Sequence, residues 1–100
     1  MIKHIVMFKL KEMEESQKQT TIQKIKADLE ALNGKIEGLV SLEVGIDFLK
    51  SEASYDLVLS SILASIKDLD RYQNDPLHLQ VVNEVVKPVI DSRIVVDYEF

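Results

Sequence analysis

Cysteine is absent from this chain of 100 residues. That one absence removes disulfide frameworks, thiolate nucleophiles and zinc–thiolate sites together, and it fits a reducing compartment. Glycine and proline are scarce, at three and two residues, which excludes a disordered or low-complexity chain. The glycines stand apart at 34, 38 and 45, so no glycine-rich loop is available to cradle a phosphate. Ser60-Ser61 supplies hydroxyls without the elbow of a serine hydrolase. No apolar run approaches membrane-spanning length. The opening residues, Met1 to Lys9, are broken by charge where a signal peptide would be apolar. The expected location is therefore the cytoplasm, with no membrane partner. Positive charge is not in excess either: the formal net charge is −5. Lys3, Lys9 and Lys11 read as a solvated edge and not a phosphate track, so no nucleic-acid partner is expected.

What is present suits one folded unit. With 46% apolar and 29% charged residues, a single domain over residues 1–100 has enough material for a core and a wet surface. Residues 2–10 place Ile5 and Met7 on one side and His4, Val6, Phe8 and Leu10 on the other. Apolar residues on both faces predict a central strand covered on both sides. Residues 15–33 switch to helical spacing, with Ile22, Ile25, Leu29 and Leu32 as a core stripe and Asn33-Gly34 as the stop. A second strand is expected over 39–50, burying Leu42, Val44, Ile46 and Phe48. A third covers 55–62 after a short connection, as an antiparallel hairpin requires.

A short helix starts at the Ser65 N-cap and carries Ile66, Leu69 and Tyr72. The stretch Tyr72-Gln73-Asn74-Asp75-Pro76-Leu77-His78 ends it and starts another over about 76–87. Asp75 serves as N-cap, and Pro76 suits the first helical position because its missing N–H has no partner there. His78 then falls in the first turn, where the positive end of the helix dipole disfavours imidazolium. The valines at 81, 82, 85, 86 and 89 favour strands by propensity, but their spacing is helical, and Lys87 before Pro88 marks the end. Residues 93–100 close the chain as a strand with Ile94, Val96, Tyr98 and Phe100 on one side.

The order β-α-β-β-α-α-β predicts an α+β fold: a ferredoxin-like antiparallel four-stranded sheet with helices on one face. Its second face is bare, and the simplest partner for it is a copy of the same chain.

Four segments carry a resemblance to a known family. They are Ile2-Lys3-His4-Ile5-Val6-Met7-Phe8-Lys9, Tyr55-Asp56-Leu57-Val58-Leu59, Tyr72 to His78, and Val95-Val96-Asp97-Tyr98. In this order and at these separations they resemble the stress-responsive dimeric alpha/beta-barrel (Dabb) domain, over almost the whole chain. The resemblance implies a homodimer paired sheet to sheet into a barrel, and a pocket between sheet and helices. Some members resemble polyketide cyclases, in which a histidine matching His78 is the base and a tyrosine matching Tyr72 assists, with a strand histidine matching His4 lining the pocket. Asp75 departs from that pattern, since such members often carry histidine before the proline. The departure leaves the cap intact and weakens transfer of the cyclase substrate.

Each candidate has a plain alternative. His78 is either a first-turn histidine packed on a strand, or a base for a proton alpha to a carbonyl. Tyr72 either ends a helix with its ring buried and its hydroxyl wet, or donates to the carbonyl or enolate oxygen. The acid–base component contributes about 10²–10⁴-fold in such chemistry. His4 reads more simply as a satisfied, partly buried histidine, and it joins Val6 and Phe8 as expected pocket wall. Asp56 and Asp97 read as strand residues facing water or pairing with lysine. Two histidines without a spaced carboxylate do not make a zinc site, and no cofactor is expected. A haem- or quinol-handling monooxygenase lacks its signatures here. The reading is a homodimer that binds a small apolar or aromatic carbonyl compound and acts on it by proton transfer. The alternative is a non-catalytic stress-associated dimer with a structural or ligand-sequestering role.

Overall fold

Alternation of apolar and polar side chains builds the sheet, and the 3–4 spacing of isoleucine and leucine builds the helix that covers it. The computed structural model describes residues 1–100. Its elements are β1 (Ile2–Leu10), α1 (Glu15–Glu30), β2 (Leu39–Ile46), β3 (Leu57–Leu63), α2 (Ile66–Asn74), α3 (Pro76–Val81) and β4 (Ile90–Glu99). A π turn, Val82–Val86, continues α3. The strands pair antiparallel in the order β2-β3-β1-β4, so β1 is central, and the fold is ferredoxin-like with its helices on one face. No helix is long and apolar enough to cross a membrane.

The core lies between this sheet and α1. Ile2, Val6, Phe8 and Leu10 of β1 meet Leu57, Leu59 and Leu63 of β3 on the same side, against Ile22, Ile25 and Leu29. The other side of the sheet presents Met7, Ile94, Val96 and Tyr98 as exposed apolar residues. Lys3 and Lys9 therefore project from the face of a central strand, not from a sheet edge as their spacing suggested. Gly38 holds a left-handed backbone (φ +86°) under the Asp68 carboxylate, where a Cβ would collide; only glycine meets both conditions.

Three expectations fail for physical reasons. β2 ends at Ile46, and Phe48 is 90% exposed. Beyond Ile46 the chain turns through a left-handed Lys50 (φ 54°), closed by the Lys50 N–H on Asp47. Ile66 is exposed: it stands in the first turn of α2, and only Tyr72 of the three apolar residues that the helix carries is fully buried. The final helix does not stay α-helical to residue 87. The Lys87 N–H reaches back to the Val82 carbonyl at 2.8 Å, a five-residue step that widens the last turn.

The outer edge of β2 is closed by side chains. The Asn33 amide donates to the Leu42 carbonyl at 2.8 Å, and its oxygen accepts the Leu42 N–H at 2.8 Å. Two residues on, Glu30 accepts the Val44 N–H at 3.0 Å and Lys26 donates to the Val44 carbonyl at 2.6 Å. Lys26 also pairs with Glu30 at 2.8 Å. These bonds hold the Glu30 carboxyl below the usual carboxylate range. The three residues stand where a fifth strand would bond.

Candidate functional site

The local sequence sets His78 as expected. The Asp75 carboxylate accepts the Leu77 N–H at 2.9 Å, and Pro76 takes the first helical position. The His78 ring folds back toward the end of α2, with Nδ1 3.4 Å from the Gln73 carbonyl. A carbonyl can only accept, so Nδ1 carries the hydrogen in this contact and Nε2 keeps its lone pair. Burial lowers the affinity of His78 for a proton; the Gln73 contact opposes that and the nearby His4 adds to it. A neutral first-turn imidazole was expected, and burial of the ring is the leading cause that lowers its proton affinity.

His4 comes from the opposite wall. It faces the helices from the middle of β1 and is 5% exposed. Across the β1–β4 ladder its register partner is Asp97, whose carboxylate accepts a hydrogen bond from His4 Nδ1. The Ser61 hydroxyl donates to the His4 carbonyl at 3.2 Å and fixes the strand beneath the ring. His4 is thus buried and satisfied, as the plainer reading held. Asp97 corrects its own reading, because it pairs with a histidine and not with lysine or water alone. Asp56 behaves as read, pairing with Lys18 at 3.0 Å while accepting the Leu10 N–H at 2.8 Å.

Tyr72, in the last turn of α2, lies between the two histidines. Its ring centroid is 4.3 Å from that of His78 and 6.2 Å from that of His4. The residue is 0% exposed and its hydroxyl has no hydrogen-bond partner. The hydroxyl expected to be wet is therefore dry. Burial pushes its pKa far up, so it remains a donor at any ordinary pH.

A cleft of about 440 Å³ opens between the sheet and the end of α3. His4, Val6 and Phe8 form its floor, His78 and the π-turn residues Val82 and Val86 its roof. Tyr72 is not among its walls and sits behind His78. Four of the five expected site residues thus share one cavity. Asp97 was missed, although its alternation with Val95 on the last strand put it on the inner face. No three His, Asp or Glu side chains converge as metal ligands.

The comparisons follow the fold. The profile of the Stress responsive A/B Barrel Domain matches residues 2–100. A dimeric protein with a ferredoxin-like fold from Bacteroides fragilis is 31% identical, covering 99% of this chain and 95% of its own, with a TM-score of 0.89. A Dabb family protein from Mesorhizobium loti is 22% identical over 99% of this chain and 95% of its own, at 0.79. Hydroxynitrile lyase from Passiflora edulis is 22% identical over 97% of this chain and 90% of its own, also at 0.79. At these lower identities the likeness is one of fold. Curated protein sequences give no match.

Proposed function

The chain belongs to the stress-responsive A/B barrel domain family, and from that premise we propose that it works as a homodimer whose cleft binds a small apolar or aromatic carbonyl compound and transfers a proton on it. The observation that carries this reading is the pair of histidines on opposite walls of one cleft. In the proposed step, His78 Nε2 removes a proton from the carbon alpha to the carbonyl. The C–H electrons form the enolate, and the proton returns to carbon or oxygen from the imidazolium. His4, oriented by Asp97, faces the same bound molecule. Tyr72, whose hydroxyl is protonated and unpartnered, packs behind His78 and off the cleft wall; its proposed part is donor to the enolate oxygen beside the His78 ring, with Nε2 staying over the alpha carbon. A buried donor without a partner is a cost that a ligand oxygen would remove.

Dimerisation accounts for the apolar outer face of the sheet, with Met7, Ile94, Val96 and Tyr98 exposed in the single chain. The Bacteroides relative is dimeric, and self-pairing of this face is the proposal for the present chain.

Deuterium uptake at the alpha carbon of phenylacetone, followed by proton NMR, tests the catalytic step. Uptake above the buffer rate, lost in His78→Ala with an unchanged thermal melt, is the expected outcome. Equal uptake by both proteins removes His78 as base. The second reading, a non-catalytic dimer that sequesters its ligand, is favoured by the enclosed Tyr72 hydroxyl; it predicts binding without uptake.

A further inference from the structure

The cleft is apolar in its depth and cationic at its mouth. Lys87 follows directly on the π turn, and Arg93 stands on the inner face of β4, opposite Phe8 in register. Both side chains are exposed, and neither takes part in an ion pair or side-chain hydrogen bond. The only carboxylate on the cleft wall is Asp91. It is the unpaired residue of the β-bulge between the Lys9–Ser92 and Leu10–Ile90 pairs, and it bonds to neither cation. In a chain of net charge −5, an opening with two uncompensated cations against one acid is a local inversion of sign. Arg93 is also close enough to His78 that its charge opposes protonation of the ring. The guanidinium therefore overlooks the same volume in which the reacting carbon would lie.

Given the reading of this cleft as a small-molecule site, we propose that its ligand is an organic acid, an apolar or aromatic body carrying a carboxylate, and that Arg93, assisted by Lys87, receives the carboxylate and sets specificity. The planar fork of arginine matches a carboxylate in two parallel hydrogen bonds. The apolar body then lies over Val6 and Phe8, between His4 and His78. The carboxylate end is thereby fixed at the mouth, so the ligand can enter in only one direction.

Phenylacetate and phenylacetamide share ring and length and differ in charge, so calorimetric titration of the full chain with each isolates the effect. The wild type is expected to bind phenylacetate tighter, on the order of tenfold for one charge-assisted contact. Arg93→Gln, or Arg93→Gln with Lys87→Gln, should equalise the two while leaving phenylacetamide unchanged. The preference should also shrink as salt rises, because both cations are exposed and screened. Equal binding by the wild type, or a preference that survives the double variant, overturns the assignment and leaves the cleft reading standing. Binding of neither compound overturns both.

Discussion

The two edges of the sheet are finished in opposite ways. At β2, the backbone groups of Leu42 and Val44 that face away from the sheet are all bonded, by Asn33, Glu30 and Lys26. At β4, every residue from Arg93 to Glu99 is exposed. A closed edge cannot template another strand, and an open one can. The fold thus separates its duties. The β2 side, over Ile25, Leu29 and Leu63, holds the core; the β4 side carries the cleft residues Arg93 and Val95 on its inner face and the exposed Ile94, Val96 and Tyr98 on its outer face.

Breaking the open half should have the largest consequence. Val96 sits on the outer face, in register with Ile5. Val96→Asp would enclose an unpaired carboxylate between two copies, at a cost of about 3 kcal/mol or more. Sedimentation is expected to show single protomers with an unchanged far-UV spectrum. A dimer that persists would mean the copies pair elsewhere.

The closed half is probed by Asn33→Ala, which removes two bonds to Leu42 in one step. The expected loss is about 1–3 kcal/mol in urea unfolding, since water can partly replace the amide. The Leu42 amide should exchange faster with solvent, with little change in β4. Uniform acceleration across the sheet would show that the two edges are coupled and open together.

The smallest effect is a pH dependence on the site side. Burial lowers the pKa of His78 below its ordinary 6.5, so the unfolded chain binds a proton there before the folded one does. Stability from this group is complete above about pH 6.5 and falls as pH drops toward the lowered folded value. His78→Gln cannot titrate, and thermal melts between pH 7 and pH 5 should fall less steeply than those of the wild type. Parallel curves would mean that the ring is solvated.

The legible parts of the molecule were those governed by one local rule. Ile22, Ile25 and Leu29 declared α1 because a helix with one buried face must repeat in that way. Asp75-Pro76 declared the start of α3 because capping is decided within a few residues. The family resemblance, drawn from four separated segments, is matched by the profile over residues 2–100. Phe48 misled because alternation continues past the point where β2 turns away, and a turn at Lys50 leaves little trace in hydropathy. Asp97 was seen as a strand residue but not as the partner of His4, since their pairing depends on a register between positions 93 residues apart. Tyr72 was placed on the correct helix and face, yet whether its hydroxyl is wet depends on how two rings stack over it.

The five-residue step at Val82–Val86 makes the cavity adjustable by a single codon. Deleting one residue there would restore ordinary winding, with the Lys87 N–H meeting the same Val82 carbonyl across four residues instead of five, so the roof loses one side chain while Lys87 and the strands keep their places. One amino acid more or fewer at this turn thus alters the ceiling of the cavity without redesigning the scaffold beneath.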